Sequence, residues 1–335
     1  MTVRIGINGF GRIGRNTFRA MLEDEALRVV AVNDLTDNAT LAHLLKYDSL
    51  YGKCVGEVSL QGENLLVNGR DVKIFAEGSP ERVPWGETGV DVVVEATGHF
   101  RTHREASRHL TGGAKKVIVT TPVHDADLIV VMGLNHNLYR PEEHRILSCA
   151  SCTTNALAPV VKVLHENFEV VRGLMNTTHS YTNDQQLLDL PHADLRRARA
   201  AALSMIPTTT GAAKIIGKII PDLKGKIDGF AVRVPTPTVS IVDFVAELGK
   251  EASGQEINEA FSAAAAGELR GILKVATEPL VSVDYKGSPY SSVVDSLLTM
   301  VLGGNMARVV AWYDNEWGYS RRVSDMAGFI ARRGL

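Results

Sequence analysis

Cys152 sits in the segment SCASCTTN at the point where a helical pattern, TTNALAPVVKVLHENF, begins. A cysteine at a helix start meets unpaired backbone N–H groups and the positive end of the helix dipole, both of which favour thiolate over thiol. It reads as a nucleophile rather than an inert packed thiol. His179, in NTTHSYTND after the β-rich run LMNTTH, is the residue type that takes a thiol proton, and a Cys with a His base is a general device for covalent catalysis. Spacing along the chain does not by itself bring the two together.

A second constellation lies at the N-terminus. Gly9, Gly11 and Gly14 form G-x-G-x-x-G within INGFGRIGRN, after a predicted strand and at the opening of a predicted helix. The first glycine permits a tight turn, the second lets backbone reach a pyrophosphate, and the third lets helix and strand pack closely, while the helix N-terminus favours negative charge. The chain returns as RVVAVND and ends in Asp34, about 20 residues on, where an acidic side chain accepts hydrogen bonds from ribose hydroxyls. A 2'-phosphate would meet like charge there, and the adjoining LTDNAT offers no Lys or Arg to offset it. The cofactor expected is NAD rather than NADP.

The elements that must position these groups follow from patterning. From Val3 to about Val123 short β-branched runs alternate with amphipathic stretches, as in RIGING, RNTFRAMLEDE, LRVVAVND and TLAHLLKY, the signature of βαβ units. VDVVVEAT, KKVIVTTP, DLIVVMGL and HRILSCAS continue the strands, and EASRHLTGGA reads as a helix between them. Runs apolar on both faces indicate strands covered above and below. The expected fold is α/β: a doubly wound parallel sheet, followed by an α+β domain with a large mixed or antiparallel sheet built from segments such as GFAVRVPTPTVSIVDFVAEL and LLTMVLGGNMARVVAWYDNE. The tail, RRVSDMAGFIARRG, is a helix pattern ending in basic residues.

Composition removes several function classes. Lys and Arg number 36 against 38 Asp and Glu, for a net charge of -2, so nucleic acid is disfavoured as a ligand. MTVRIGINGFGRIGR lacks the features of a secretory signal, and no apolar run reaches membrane-spanning length, so a cytoplasmic protein without a membrane partner is expected. Cys54, Cys149 and Cys152 are too few for a disulfide framework, and no Cys or His pairs stand at zinc-ligand spacing, so no metal is expected. The C-x-x-C of Cys149 and Cys152 also fits a redox pair. An exchanger of that kind has no need of the glycine motif, so the pair is read instead as a bridge that mild oxidation closes over the nucleophile.

Across essentially its full length the chain resembles the phosphorylating glyceraldehyde-3-phosphate dehydrogenases of glycolysis. The resemblance runs through INGFGRIGRN, VNDLTD, TLAHLLKYDS, ASCTTN, HSYTNDQ, DLRRARAAA, PTTTGAAK, RVPTPTVS and WYDNEWGYS. It implies a Rossmann-type NAD-binding domain over 1–151, with a C-terminal helix at about 317–335 returning to it, and a catalytic domain over 152–316. It implies Cys152 as nucleophile and His179 as its activator. Arg12 and Ile13 would hold the pyrophosphate through backbone, with Gly9, Gly11, Gly14, Asp34, Thr97, Gly98, Thr120 and Asn315 completing the cofactor site. Glyceraldehyde 3-phosphate and inorganic phosphate would be bound by Ser151, Thr153, Thr182, Arg197, Thr210, Gly211 and Arg233. Hydroxyls, a backbone N–H and permanently charged guanidinium groups suit two anion pockets. The resemblance also implies a homotetramer.

Four positions depart from the family pattern: Cys149 replaces an Asn, Ala156 a second cysteine, Asn176 and Thr178 stand where Thr and Val are usual, and Gly78 replaces a basic residue on the adenine side. The cluster near the thiol suggests an isozyme with altered access to the nucleophile. A related erythrose-4-phosphate dehydrogenase and a non-catalytic binding or redox-sensing protein are the alternatives, separated by rates with the two aldehydes and by thiol titration.

Overall fold

Val92–Glu95 and Lys116–Val119 are buried at every position, which a strand achieves when both faces of its sheet are covered. The computed structural model describes residues 2–335 and divides into two units, one of residues up to Ala150 with Ser320–Leu335, the other Ser151–Tyr319.

The first unit is built on a nine-stranded sheet in the order Leu128–Ile129, Ile146–Ser148, Lys116–Val119, Val92–Glu95, Val3–Asn8, Leu27–Asn33, Arg70–Phe75, Asn64–Val67, Val58–Gln61. The first seven pair in parallel and the last two add antiparallel at one edge. From Val3–Asn8 the chain winds to one side, then returns to place Val92–Glu95 on the other. That reversal opens a crevice beyond the carboxyl ends of the two strands, where Gly9 follows Asn8 and Thr97 lies just past Glu95. The edge hairpin turns at Asn68 and Gly69, with φ of 51° and 73°, the Asn-Gly pairing that a tight hairpin of right-handed twist demands. The helix expected over EASRHLTGGA is two single turns, His103–Ala106 and Arg108–Thr111, stopped by Gly112 and Gly113. Gly113 has a φ of 101°, which a continuing helix does not accept.

The second unit carries an eight-stranded mixed sheet. Its main path runs Ile206–Thr209, Ile227–Val234, Val170–Ser180, Ser240–Leu248, Met306–Tyr313, Ser292–Asp295, Leu273–Ala276, and Met300–Leu302 pairs with Met306–Tyr313. Along Ser240–Leu248 every second residue is buried, the period-two pattern of a sheet with one face on the core. The helix Cys152–Phe168, whose first turns and middle are buried, packs on that face.

Candidate active site

Gly9 has a φ of 87°, and a Cβ there would lie 2.6 Å from the Thr97 nitrogen. A Cβ on Gly14 would fall 2.1 Å from the Gly9 carbonyl oxygen, so two of the three glycines are required by close backbone approach. Gly11 is the N-cap of the helix Arg12–Met21 and makes no side-chain cap, and the space above its Cα is open. A helix N-terminus open at this point favours an anion. The Phe10 and Thr36 amides donate to the two Asp34 carboxylate oxygens at 2.7 and 3.0 Å. Each oxygen keeps a lone pair for a ribose hydroxyl. Asp34, Glu77, Gly78 and Thr97 line the adjoining pocket, and no Lys or Arg stands among the described residues of its wall. Gly78, where a basic side chain was expected from the family pattern, faces open space.

The remaining cofactor candidates of this unit sit at the same strand ends. The Arg12 guanidinium is turned to Asp48 at 3.0 Å. Ile13 lies in the same first turn. Gly98 has a φ of 74° and open space above it. Thr120 donates from its hydroxyl to the Glu95 carbonyl at 3.1 Å.

In the second unit Cys152 is the first residue of its helix, and the Ser151 hydroxyl caps that helix by accepting from the Thr154 amide at 3.1 Å. Cys152 Sγ lies 3.4 Å from His179 Nε2. His179 is on the strand Val170–Ser180, in register with Arg233 of the neighbouring parallel strand. Arg233 Nη1 lies 3.0 Å from His179 Nδ1, and it donates to the Ser180 carbonyl at 3.1 Å and the Thr182 hydroxyl at 3.3 Å. His179 Nδ1 is also 2.7 Å from the Ser180 carbonyl, which fixes the ring and leaves Nε2 facing the sulfur.

Burial and the Arg233 charge hold the imidazole down to about 3, against the Ser180 carbonyl. Burial also pushes the Cys152 thiol up, with Arg233 and the Cys152 and Thr153 amides pulling the other way. Burial is the first cause of both shifts, and it disfavours charge on either partner. Desolvation of a charged sulfur outweighs the amides. Cys149 is 2% exposed, burial pushes its thiol to about 12, and no disulfide forms among the described residues.

Arg197 heads a second polar cluster. Its guanidinium pairs with Asp184 and donates to the Thr208 hydroxyl at 2.9 Å and the Thr209 carbonyl at 3.3 Å. Next along the chain, Thr210 accepts from the Ala212 amide at 3.2 Å, and Gly211 is the N-cap of Ala212–Ile219 with open space above it. Thr153 lies beside Cys152, and its buried hydroxyl is bonded to the Tyr313 phenol at 2.9 Å.

Three supporting residues were not singled out from sequence. Tyr313 bridges the hydroxyls of Thr153 and Thr177, each at 2.9 Å, behind the Cys152 and His179 pair. Ser180 and Ser240 donate to Asn315 Oδ1 at 2.8 and 3.0 Å, so the Asn315 amide nitrogen is the end left to donate. Val239, beside Ser240, has a φ of 67°, a strained value for a β-branched residue. The alternating pattern placed Ser240 and Tyr313 on strands, but only register brings these side chains together.

The family model described as the glyceraldehyde 3-phosphate dehydrogenase NAD binding domain matches residues 3–103, and that of the glyceraldehyde 3-phosphate dehydrogenase C-terminal domain matches residues 151–315. The chain is 60% identical over 335 residues, all of both chains, to a glyceraldehyde-3-phosphate dehydrogenase of Geobacillus stearothermophilus. It is 58% identical to glyceraldehyde-3-phosphate dehydrogenase 1 of Bacillus cereus, covering 99% of each, and 56% identical to glyceraldehyde-3-phosphate dehydrogenase 1 of Bacillus subtilis strain 168, covering 100% of each.

Proposed function

Because the chain belongs to the glyceraldehyde 3-phosphate dehydrogenase family, we propose that Cys152 and His179 carry out its reaction, with Arg233 as the fixed charge that tunes both. The reaction is the NAD-dependent, phosphorylating oxidation of glyceraldehyde 3-phosphate. The observation that carries the residue assignment is the 3.4 Å separation of Cys152 Sγ and His179 Nε2, with Arg233 at the other ring nitrogen.

His179 takes the thiol proton as sulfur bonds to the aldehyde carbon, and returns it to the resulting alkoxide to give a hemithioacetal. The Cys152 backbone N–H is suited to stabilise that alkoxide. NAD, when bound, supplies the two-electron acceptor for oxidation of this carbon. His179 takes the hemithioacetal hydroxyl proton as the thioester forms. Inorganic phosphate then attacks the thioester carbon, the acyl phosphate departs, and His179 returns its proton to the sulfur. Beside Arg233 the imidazolium is a strong acid, so it gives the proton back readily.

The open Gly11, the close fit at Gly9 and Gly14 and the free lone pairs of Asp34 suit a dinucleotide. Arg12 and Ile13 would hold its pyrophosphate by backbone, with Thr97, Gly98 and Thr120 at the same crevice. Asn315, oriented by its two serines, would donate to the nicotinamide amide. The two phosphate groups would be shared among Ser151, Thr153, Thr182, Arg197, Thr210, Gly211 and Arg233. We place the NAD-binding domain at 1–151 with the helix after 317, and the catalytic domain at 152–316.

The apolar side chains Val171, Leu174, Val245 and Met306, which share one exposed groove, support association into a homotetramer. No helix among the described residues is long and apolar enough to cross a membrane, and cytoplasmic action fits that. The deciding assay follows NADH absorbance from glyceraldehyde 3-phosphate with and without inorganic phosphate, and with NADP in place of NAD. Cys152→Ser should abolish turnover. Phosphate-independent turnover, or an active Cys152→Ser enzyme, refutes the assignment.

A further inference from the structure

Asn8 and Glu95 are the last residues of two neighbouring parallel strands and are register partners at the crevice where the winding reverses. Both are buried, at 3% and 1% exposure. Glu95 Oε2 accepts from Asn8 Nδ2 at 2.5 Å and lies 2.9 Å from His109 Nε2. Oε1 accepts from the Thr97 amide at 2.8 Å and the Thr97 hydroxyl at 2.5 Å.

The polarity of these bonds is imposed from their far ends. The Trp85 indole can only donate, and its partner is His109 Nδ1 at 3.1 Å, so Nδ1 accepts and Nε2 presents its proton to Glu95. The Glu77 amide can only donate, and its partner is Asn33 Oδ1 at 2.8 Å. Asn33 Nδ2 then donates to Asn8 Oδ1 at 2.7 Å, which turns Asn8 Nδ2 toward Glu95. Two hydrogen-bonded chains therefore converge on one side chain that Thr97 also addresses twice. A protonated acid or an amide would bring a donor where donors already point. An ionised carboxylate satisfies all four.

We propose that the Glu95 carboxylate is a positioning residue for the dinucleotide, clamping the loops that form its pocket. Asn8 leads into Gly9, Thr97 abuts Gly9, and Asn33 holds the Glu77 loop by two bonds. Asn8, Asn33, Glu77 and Thr97 all line that pocket. The inference rests on reading the pocket as the NAD site.

The test measures NAD affinity calorimetrically and steady-state kinetics on the whole protein. Glu95→Gln keeps the shape but adds a donor, and NAD affinity should fall and KM for NAD rise by roughly tenfold or more, while kcat at saturating NAD changes less than about twofold. Asn8→Asp sets two carboxylates against each other, which cannot both ionise at such range. Its NAD affinity should recover as pH falls from about 8 to about 5.5, because a shared proton restores the donor, and the wild type should show no such recovery. Asp34→Ala, which removes the ribose acceptor, should weaken NAD binding without that recovery. Unchanged affinity in Glu95→Gln, a fall in kcat matching the rise in KM, or a pH-independent Asn8→Asp overturns the proposal while Asp34→Ala still weakens binding. An ineffective Asp34→Ala removes the pocket reading as well. Should Glu95→Gln fail to fold, the pH response of Asn8→Asp decides alone.

Discussion

Arg233 Nη1 stands 3.0 Å from His179 Nδ1, so the imidazole that faces the thiol has a permanent positive charge at its back. A charged imidazole is disfavoured there by burial and by that neighbour.

Replacing His179 with Asn removes the proton acceptor while leaving the sulfur in place. We expect kcat/KM to fall by roughly 10²- to 10⁴-fold. NADH formation at saturating phosphate measures it, and a loss under about fivefold would exclude His179 as the base.

The same histidine makes the fold sensitive to acid. Its folded pKa, about 3, lies below the ordinary value of 6.5, so between those pH values the unfolded chain binds a proton that the folded chain refuses. Its favourable contribution is complete above about pH 6.5 and is lost progressively as pH falls toward about 3. Urea unfolding of the wild type and His179→Asn at pH 7 and pH 5 should show the wild type losing more stability. Parallel losses would contradict the buried neutral state.

Asp34 lines a pocket whose described wall holds no Lys or Arg. Asp34→Ser with Leu35→Arg removes the repulsion and adds a cation for a 2'-phosphate. The ratio of kcat/KM for NADP over NAD should rise at least about tenfold.

Tyr313 has its phenol held neutral by burial and joined to Thr153 and Thr177. Tyr313→Phe leaves two buried hydroxyls short of a partner and should cost about 1–3 kcal/mol of stability. Denaturant unfolding checks this, and an unchanged midpoint would deny the bridge a structural role.

Cys149 makes a poor resolving thiol, because burial keeps its sulfur protonated. Cys149→Ala should therefore inactivate with peroxide at the wild-type rate, and mass spectrometry of the peroxide-treated wild type should find oxidised Cys152 and no 149–152 bridge. A protected wild type would restore the redox-pair reading.

The glycines, Asp34 and the helix beginning at Cys152 were legible in the sequence because each depends on local backbone: a positive φ, a close approach, a helix start. The Asn-Gly hairpin at residues 68–69 carried an equally local signal, though the βαβ reading passed over it. What only the tertiary structure decided was which side chains meet. Arg233 reaches His179, and Glu95 receives Asn8, through the register of parallel strands far apart in the chain. Parallel pairing joins segments across long crossovers, so residue spacing carries no trace of it. The burial that disfavours charge on the Cys152 and His179 pair was decided the same way, since burial depends on everything packed around a group and not on its neighbours in sequence.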